Sequence, residues 1–192
     1  MNPIEHVLEF MVEIEKLKDV QRKTRPVGLN RYENSAEHSW HVCLSALMLK
    51  DYANEPINID RVIKMLLIHD LGEIDAGDTI IYAGETKEIK EKEEAGIKRV
   101  FSLLPAGKAD QYISLWREFE QGESIDAKYA KAIDRVPPLL HNLKGNGHSW
   151  NDNNVPKEKV FDLNSRIAKG STALWHVLKG KLNKAVADGI LK

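Results

Sequence analysis

The segment IDRVIKMLLIHDLGE, residues 59–73, decides the fold class. Projected at 100° per residue, Val62, Ile63, Met65, Leu66, Leu67 and Ile68 leave no side of a helix for water, so a buried helix is expected. It ends on His69-Asp70-Leu71-Gly72-Glu73, placing an imidazole and two carboxylates where the preceding residues demand burial. A buried carboxylate without a partner is costly, so Asp70 and Glu73 must pair, hydrogen-bond or hold a metal.

Working outward, helix-start signals recur at Asn2-Pro3, Ser35, Asp60, Ser124, Pro156 and Ser171. They predict helices near 3–18, 35–53, 60–72, 86–104, 107–120, 125–143, 157–168 and 172–187. Period-two alternation is absent, and the β-branched residues fall on helical spacing, so the fold class is all-α. The run TKEIKEKEEAGIKR (86–99) reads as a solvated helix face stitched by i,i+4 pairs. KGNGHSWNDNNVP (144–156) reads as a long loop, without a composition shift that would mark a second domain. The expected organisation is one domain over 1–192, a length within the usual range for a single core.

Two further helices carry polar groups in places that ask for a partner. In 35–53, Ala36, Trp40, Cys43, Leu44 and Leu47 form an apolar stripe, and the opposite strip holds His38, His41 and Ser45 without Lys or Glu. That strip is expected to face protein, which makes both histidines candidate ligands. In 125–143, Ala130, Ile133, Val136, Leu139 and Leu140 point inward, with Asp134 and His141 on one neighbouring stripe. Pro137 and Pro138 should bend the helix just after Asp134. Imidazole with carboxylate suits several divalent metals, and three helices offer both groups.

Composition removes other classes. With 28 basic and 29 acidic residues the formal charge is -1, which provides no basic footprint for extended nucleic acid or an anionic membrane. Cys43 is the only cysteine, so a four-thiolate zinc site is excluded and a reducing compartment is expected. The first twenty residues read as an amphipathic helix and not as a signal peptide, and no apolar run approaches the roughly 20 residues that span a bilayer. A cytoplasmic location follows as the expectation.

The order His38, His69-Asp70, Asp134 resembles the HD-domain superfamily of metal-dependent phosphohydrolases. Four stretches, RYENSAEHSWH (31–41), HDLGEIDAGD (69–78), KAIDRVPPLL (131–140) and RIAKGSTALW (166–175), resemble its 5′-deoxynucleotidase branch and the eukaryotic HD-domain-containing 2-like relatives. The likeness spans most of the chain, with its motif core at about 31–140 and the flanking helices completing a bundle.

The resemblance implies that His38, His69, Asp70 and Asp134 hold one divalent cation, of Mn, Co, Mg, Fe or Zn, and it selects His38 over His41. It implies Glu73 as general base or proton shuttle, Asp78 as a second catalytic group, and Asp78 with Thr79 as substrate contacts. Arg22 matches the phosphate-orienting arginine, with Arg25 as the alternative. Lys23 follows Arg22 where the bacterial relatives place a tryptophan that crowds the ribose 2′ position, so the choice of sugar does not carry over. HD relatives with two metals supply extra histidines between the His-Asp pair and the last aspartate; residues 71–133 contain none, hence one metal.

The implied activity is hydrolysis of nucleoside 5′-monophosphates, in particular deoxyribonucleotides, to nucleoside and phosphate. Its alternatives are another phosphorylated metabolite or a nucleoside polyphosphate as substrate, or a non-catalytic helical metal-binding module. A homodimer is implied as well. His6, His148 and His176 lie outside every motif and read as structural or exposed.

Overall fold

Side-chain caps written into the sequence set most of the helix starts in the computed structural model, which describes residues 2–84 and 86–192. Asn2 accepts the Ile4 N–H and opens α1 (Pro3–Glu13), which tightens into a 3-10 turn through Asp19. Asn34 caps α2 (Ser35–Leu49): it accepts the Glu37 N–H at 3.0 Å while the Glu37 carboxylate accepts the Asn34 N–H at 2.8 Å. Asn58 opens α3 (Ile59–Ile68), and the short α4 (Glu73–Ala76) follows. Thr86 caps α5 (Lys87–Phe101), and α6 (Ala109–Gln121) ends on Gly122 in the left-handed region, the usual helix-stopping role of glycine. Ser124 caps α7 (Ile125–Asp134), which α8 (Val136–Lys144) continues. After α9 (His148–Asp152) and α10 (Lys157–Ser165), Ser171 caps α11 (Thr172–Ala187). Among the described residues the extended pairing is one isolated antiparallel bridge, Gln21 with Asn34.

The bend expected after Asp134 is present. The 125–143 stretch divides at Arg135, and Pro137 sits in the first turn of α8, where a missing N–H costs nothing. Two differences concern local chemistry. The segment 144–156 is not wholly loop, because the Asn142 carboxamide accepts the Ser149 and Trp150 N–H groups at 3.0 and 3.2 Å and starts α9, burying Trp150. Nor is α3 buried all round: Arg61, Lys64 and Leu67 recur every three residues along one solvent face, where Leu67 is 52% exposed.

The first core cluster joins α2, α3, α5, α6 and α7 through Val42, Ala46, Met65, Leu66, Ile97, Phe119 and Ile133. The second joins α7, α8, α10 and α11 through Ala132, Leu139, Val160, Leu178 and Leu182. Helix α7 belongs to both, and Tyr129 fixes it to α2 by donating its hydroxyl to the Ala46 carbonyl at 2.9 Å. In α2 the buried face is His38, Ser39, Val42 and Ala46, so the Trp40, Leu44 and Leu47 stripe turns outward, with Trp40 65% exposed.

Gly170 allows the second cluster to close on α7. A Cβ there would stand 2.5 Å from the Lys128 carbonyl oxygen and 2.7 Å from both the Ala132 Cβ and the Tyr129 Cα. Backbone cannot yield as a flexible side chain does, so Gly170→Ala is expected to cost about 1–3 kcal/mol. A urea midpoint unchanged from the parent would contradict that close approach.

Candidate metal centre and its cleft

Three helix ends converge on one point. His38 lies one turn into α2 on its buried face, His69 and Asp70 follow the last residue of α3, and Asp134 ends α7. The Asp134 Oδ1 atom is 2.8 Å from His38 Nε2 and 3.3 Å from His69 Nε2, and Asp70 Oδ1 is 3.0 Å from the same His69 nitrogen. One atom each from His38, His69 and Asp134 falls within 4.8 Å of the others, a spacing one cation can span, and Asp70 borders the group.

The tautomers suit a metal. His69 Nδ1 lies 2.7 Å from the Leu66 carbonyl oxygen, which can only accept, so Nδ1 carries the proton there and the Nε2 lone pair turns toward the carboxylates. Buried His69 Nε2 makes no hydrogen bond of proper geometry, although two carboxylate oxygens lie within 3.3 Å. A backbone carbonyl behind an imidazole with carboxylates in front is the usual outer support of a metal-binding histidine. On the other histidine, Glu33 Oε2 stands 3.4 Å behind Nδ1, a carboxylate on the corresponding side of the ring that makes no hydrogen bond of proper geometry with it.

Charge is concentrated here against the preference of a buried site. Burial opposes ionisation of Asp70 and Asp134, yet the neighbouring histidines, with Arg22 at Asp70, hold both carboxyls below their ordinary range. Burial likewise opposes protonation of His69, but Asp70 and Asp134 carry it well above its ordinary value. Proton and cation compete for such a nitrogen. Glu73, at the start of α4, goes the other way: burial, then the charges of Asp70 and Asp78, push its carboxyl well above the usual range. Its Oε2 accepts the Ser35 hydroxyl at 2.6 Å. Asp78 is raised as well, by burial and by Asp70, with Arg22 opposing.

Arg22 reaches the centre from the segment before α2. Its N–H donates to the Glu33 carbonyl at 2.8 Å and the Glu33 N–H returns to the Thr24 carbonyl at 2.9 Å, a short ladder that aims the guanidinium inward. Arg22 Nη1 is 3.0 Å from Asp70 Oδ2 and 3.6 Å from Asp78 Oδ1, and Nε is 3.3 Å from Glu33 Oε2. Arg25 points elsewhere: its guanidinium lies over the Tyr32 ring at 5.1 Å, and its N–H donates to His148 Nε2 at 3.0 Å.

Two cavities meet at Arg22, Asp78, Thr79 and Asp134. The polar one, about 820 Å³, is walled by His69, Asp70, Glu73 and Lys131, and the more apolar one, about 540 Å³, by Ile80, Tyr82, Pro138 and Leu139. A charged end beside an apolar recess suits an elongated molecule with one anionic group. All of His38, His69, Asp70, Glu73, Asp78, Thr79, Asp134 and Arg22 therefore gather here, whereas His41 does not. Glu33, Ser35 and Tyr82 escaped the sequence reading. Glu33 and Ser35 lie inside RYENSAEHSWH, but only their contacts in the folded chain, Ser35 with Glu73 and Glu33 with Arg22 and His38, distinguish them from ordinary polar residues ahead of a helix.

The HD domain family model matches residues 14–175. A solved structure described as a predicted metal-dependent phosphohydrolase from Magnetospirillum magnetotacticum MS-1 superposes with a TM-score of 0.93 at 42% identity, covering 100% of this chain and 99% of that one. The human protein named 5'-deoxynucleotidase HDDC2 is 29% identical over 136 residues, which is 70% of this chain and 65% of that protein. Its Xenopus laevis counterpart is 30% identical over 142 residues, 72% of this chain and 68% of that protein. The matched region contains every residue of the His38, His69-Asp70 and Asp134 cluster, and with it the chain belongs to the HD domain family.

Proposed function

We propose that this chain hydrolyses nucleoside 5′-monophosphates, deoxyribonucleotides in particular, to nucleoside and phosphate, with one divalent cation held by His38, His69, Asp70 and Asp134. The observation that carries the reading is His69 Nε2, buried without a hydrogen bond and faced by two carboxylate oxygens at the floor of a cleft that also holds Arg22. The names of the relatives, 5'-deoxynucleotidase and predicted metal-dependent phosphohydrolase, support the same chemistry. A divalent cation in this set would supply Lewis acidity, lowering the pKa of water and withdrawing charge from a phosphoryl oxygen.

The protein's own residues do the rest. Arg22, buried and kept charged by Asp70 and Asp78, offers a planar pair of N–H groups to two phosphate oxygens. Burial and the charges of Asp70 and Asp78 favour the protonated form of Glu73, and Ser35 is fixed on its Oε2, which leaves Oε1 to exchange a proton with water or with the leaving 5′-oxygen. Asp78 and Thr79, on the rim shared by both cavities, face the sugar, and the apolar recess at Ile80, Tyr82 and Leu139 takes the base.

The chain acts as one domain over 1–192 and as a homodimer in the cytoplasm. The exposed Ile4, Leu8, Met11 and Val12 of α1 and the outward Trp40, Leu44 and Met48 of α2 supply the apolar surface for self-association. No helix among the described residues is long and apolar enough to cross a membrane.

Phosphate release from a panel of ribo- and deoxyribonucleoside monophosphates, with Mn²⁺ or Co²⁺ added to metal-stripped protein, tests the proposal. Release from monophosphates alone is expected. Turnover confined to polyphosphates or sugar phosphates would transfer the site to another ester, and no turnover with either metal would leave only a metal-binding helical module.

A further inference from the structure

Behind the wall of the cleft a second group of donors converges, of which the cleft itself engages only Glu33, beside His38 and Arg22. Glu33 is 2% exposed, His141 is 3% exposed and His41 is half-buried; one ligand atom from each lies within 4.8 Å of the other two. Three separate pieces of chain bring them together: the strand-like segment before α2, the second turn of α2, and α8 beyond its proline bend.

The orientation of His141 is the informative part. Its Nδ1 lies 3.2 Å from the Thr24 hydroxyl, which itself stands 3.5 Å from Glu33 Oε2. With Nδ1 engaged there, Nε2 turns to Glu33 Oε1 at 3.9 Å. That separation is too long for a hydrogen bond. It is nearly right for two ligands of one ion, which at about 2.0–2.2 Å from a metal stand roughly 3–3.5 Å from each other. The His41 and His141 rings face one another with centroids 6.2 Å apart, so His41 approaches the same point from its more exposed side.

We propose that Glu33, His41 and His141 form a second divalent-cation site, separate from the cleft and suited to zinc. Two imidazoles and one carboxylate make the donor set of zinc and of the later first-row metals, not of magnesium or calcium, which take oxygen ligands. Burial lowers His141 to about 4, which leaves its ring neutral with a lone pair at physiological pH. The half-exposed His41 leaves an entry path and a coordination position for water. The ion lies outside the His69-Asp70 centre, so the absence of histidines between 71 and 133, which speaks against a dinuclear cleft, does not bear on it.

The test is metal stoichiometry. Full-length, metal-stripped protein is dialysed against micromolar Zn²⁺ and assayed by elemental analysis, with the Co²⁺ form followed by its visible absorption. Two equivalents are expected for the parent, one for His41→Ala, one for Asp134→Ala and none for the double variant. His41 is half-exposed, so its replacement leaves folding intact; His141→Gln, verified folded by circular dichroism, is expected to lose the same equivalent. A parent that binds a single equivalent and surrenders it with Asp134→Ala would overturn the proposal, as would two equivalents retained by His41→Ala. A single equivalent kept by Asp134→Ala and lost by His41→Ala would uphold this site and sink the centre proposed in the cleft.

Discussion

Asp134→Asn is expected to reduce phosphate release by on the order of 10³-fold and to weaken Mn²⁺ binding in parallel, the scale seen when a principal charge-stabilising group is removed from an active site. The substitution keeps the shape of the side chain and removes its charge. Oδ1 is the atom common to the centre, 2.8 Å from one imidazole and 3.3 Å from the other, so no neighbour can substitute for it. Asp70 serves His69 alone of the two histidines and is also engaged by Arg22. The fold should survive, because Asp134 ends its helix and is partly exposed, but the metal-free protein loses the pairing of this carboxylate with two buried imidazoles. Metal-stripped Asp134→Asn is therefore expected to melt below the parent, while the stabilisation that added Mn²⁺ gives the parent disappears. Activity within tenfold of the parent at saturating metal would remove Asp134 from the centre and the proposed mechanism with it.

How much of this could be read in advance follows from which signals are local. The caps at Asn2 and Ser124 and the prolines after Asp134 act within a turn of themselves, so helix starts and the α7–α8 bend were legible. The class of α3 was legible too, but not its solvent face. Leu67 is apolar yet lies in register with Arg61 and Lys64, and only the packing of α2, α6 and α7 on the other sides shows which stripe is left over. The same applies to α2: its apolar stripe and its polar strip each looked like a candidate core face, and the bundle buried the polar one because His38 has Asp134 and Glu33 to meet there. The His-Asp pair was legible as chemistry since burial and charge coincide within five residues. Glu33, Ser35 and Thr24 were not: Ser35 acts through Glu73, 38 positions away, Thr24 through Glu33 and His141, 9 and 117 positions away, and Glu33 meets His38 only once the chain turns into α2. Arg22 and Arg25 are equivalent in composition; the Gln21–Asn34 bridge and the short ladder after it decide which one turns inward.

The position of Glu73 yields the second large effect. Glu73→Gln preserves volume and can still accept the Ser35 hydroxyl, so it removes proton exchange and little else. The loss in kcat is expected at about 10²–10⁴-fold, the range for a positioned acid or base, with KM and metal stoichiometry near the parent values. Ser35→Ala separates a chemical role from a structural one. The Ser35 hydrogen bond draws the Glu73 carboxyl down, against burial and the charges of Asp70 and Asp78, which raise it. Without that bond the carboxyl must titrate higher, and the limb of the kcat profile that reports Glu73 must move to higher pH. If Glu73 acts as the acid, the alkaline limb moves and activity extends upward; if it acts as the base, the acid limb moves and activity below neutrality falls. A group that merely filled space between α2 and α4 would change stability in Ser35→Ala and leave both limbs in place. Glu73→Gln with kcat within threefold of the parent would exclude this carboxyl as the proton carrier and turn attention to Asp78, which burial and Asp70 also raise above the ordinary range.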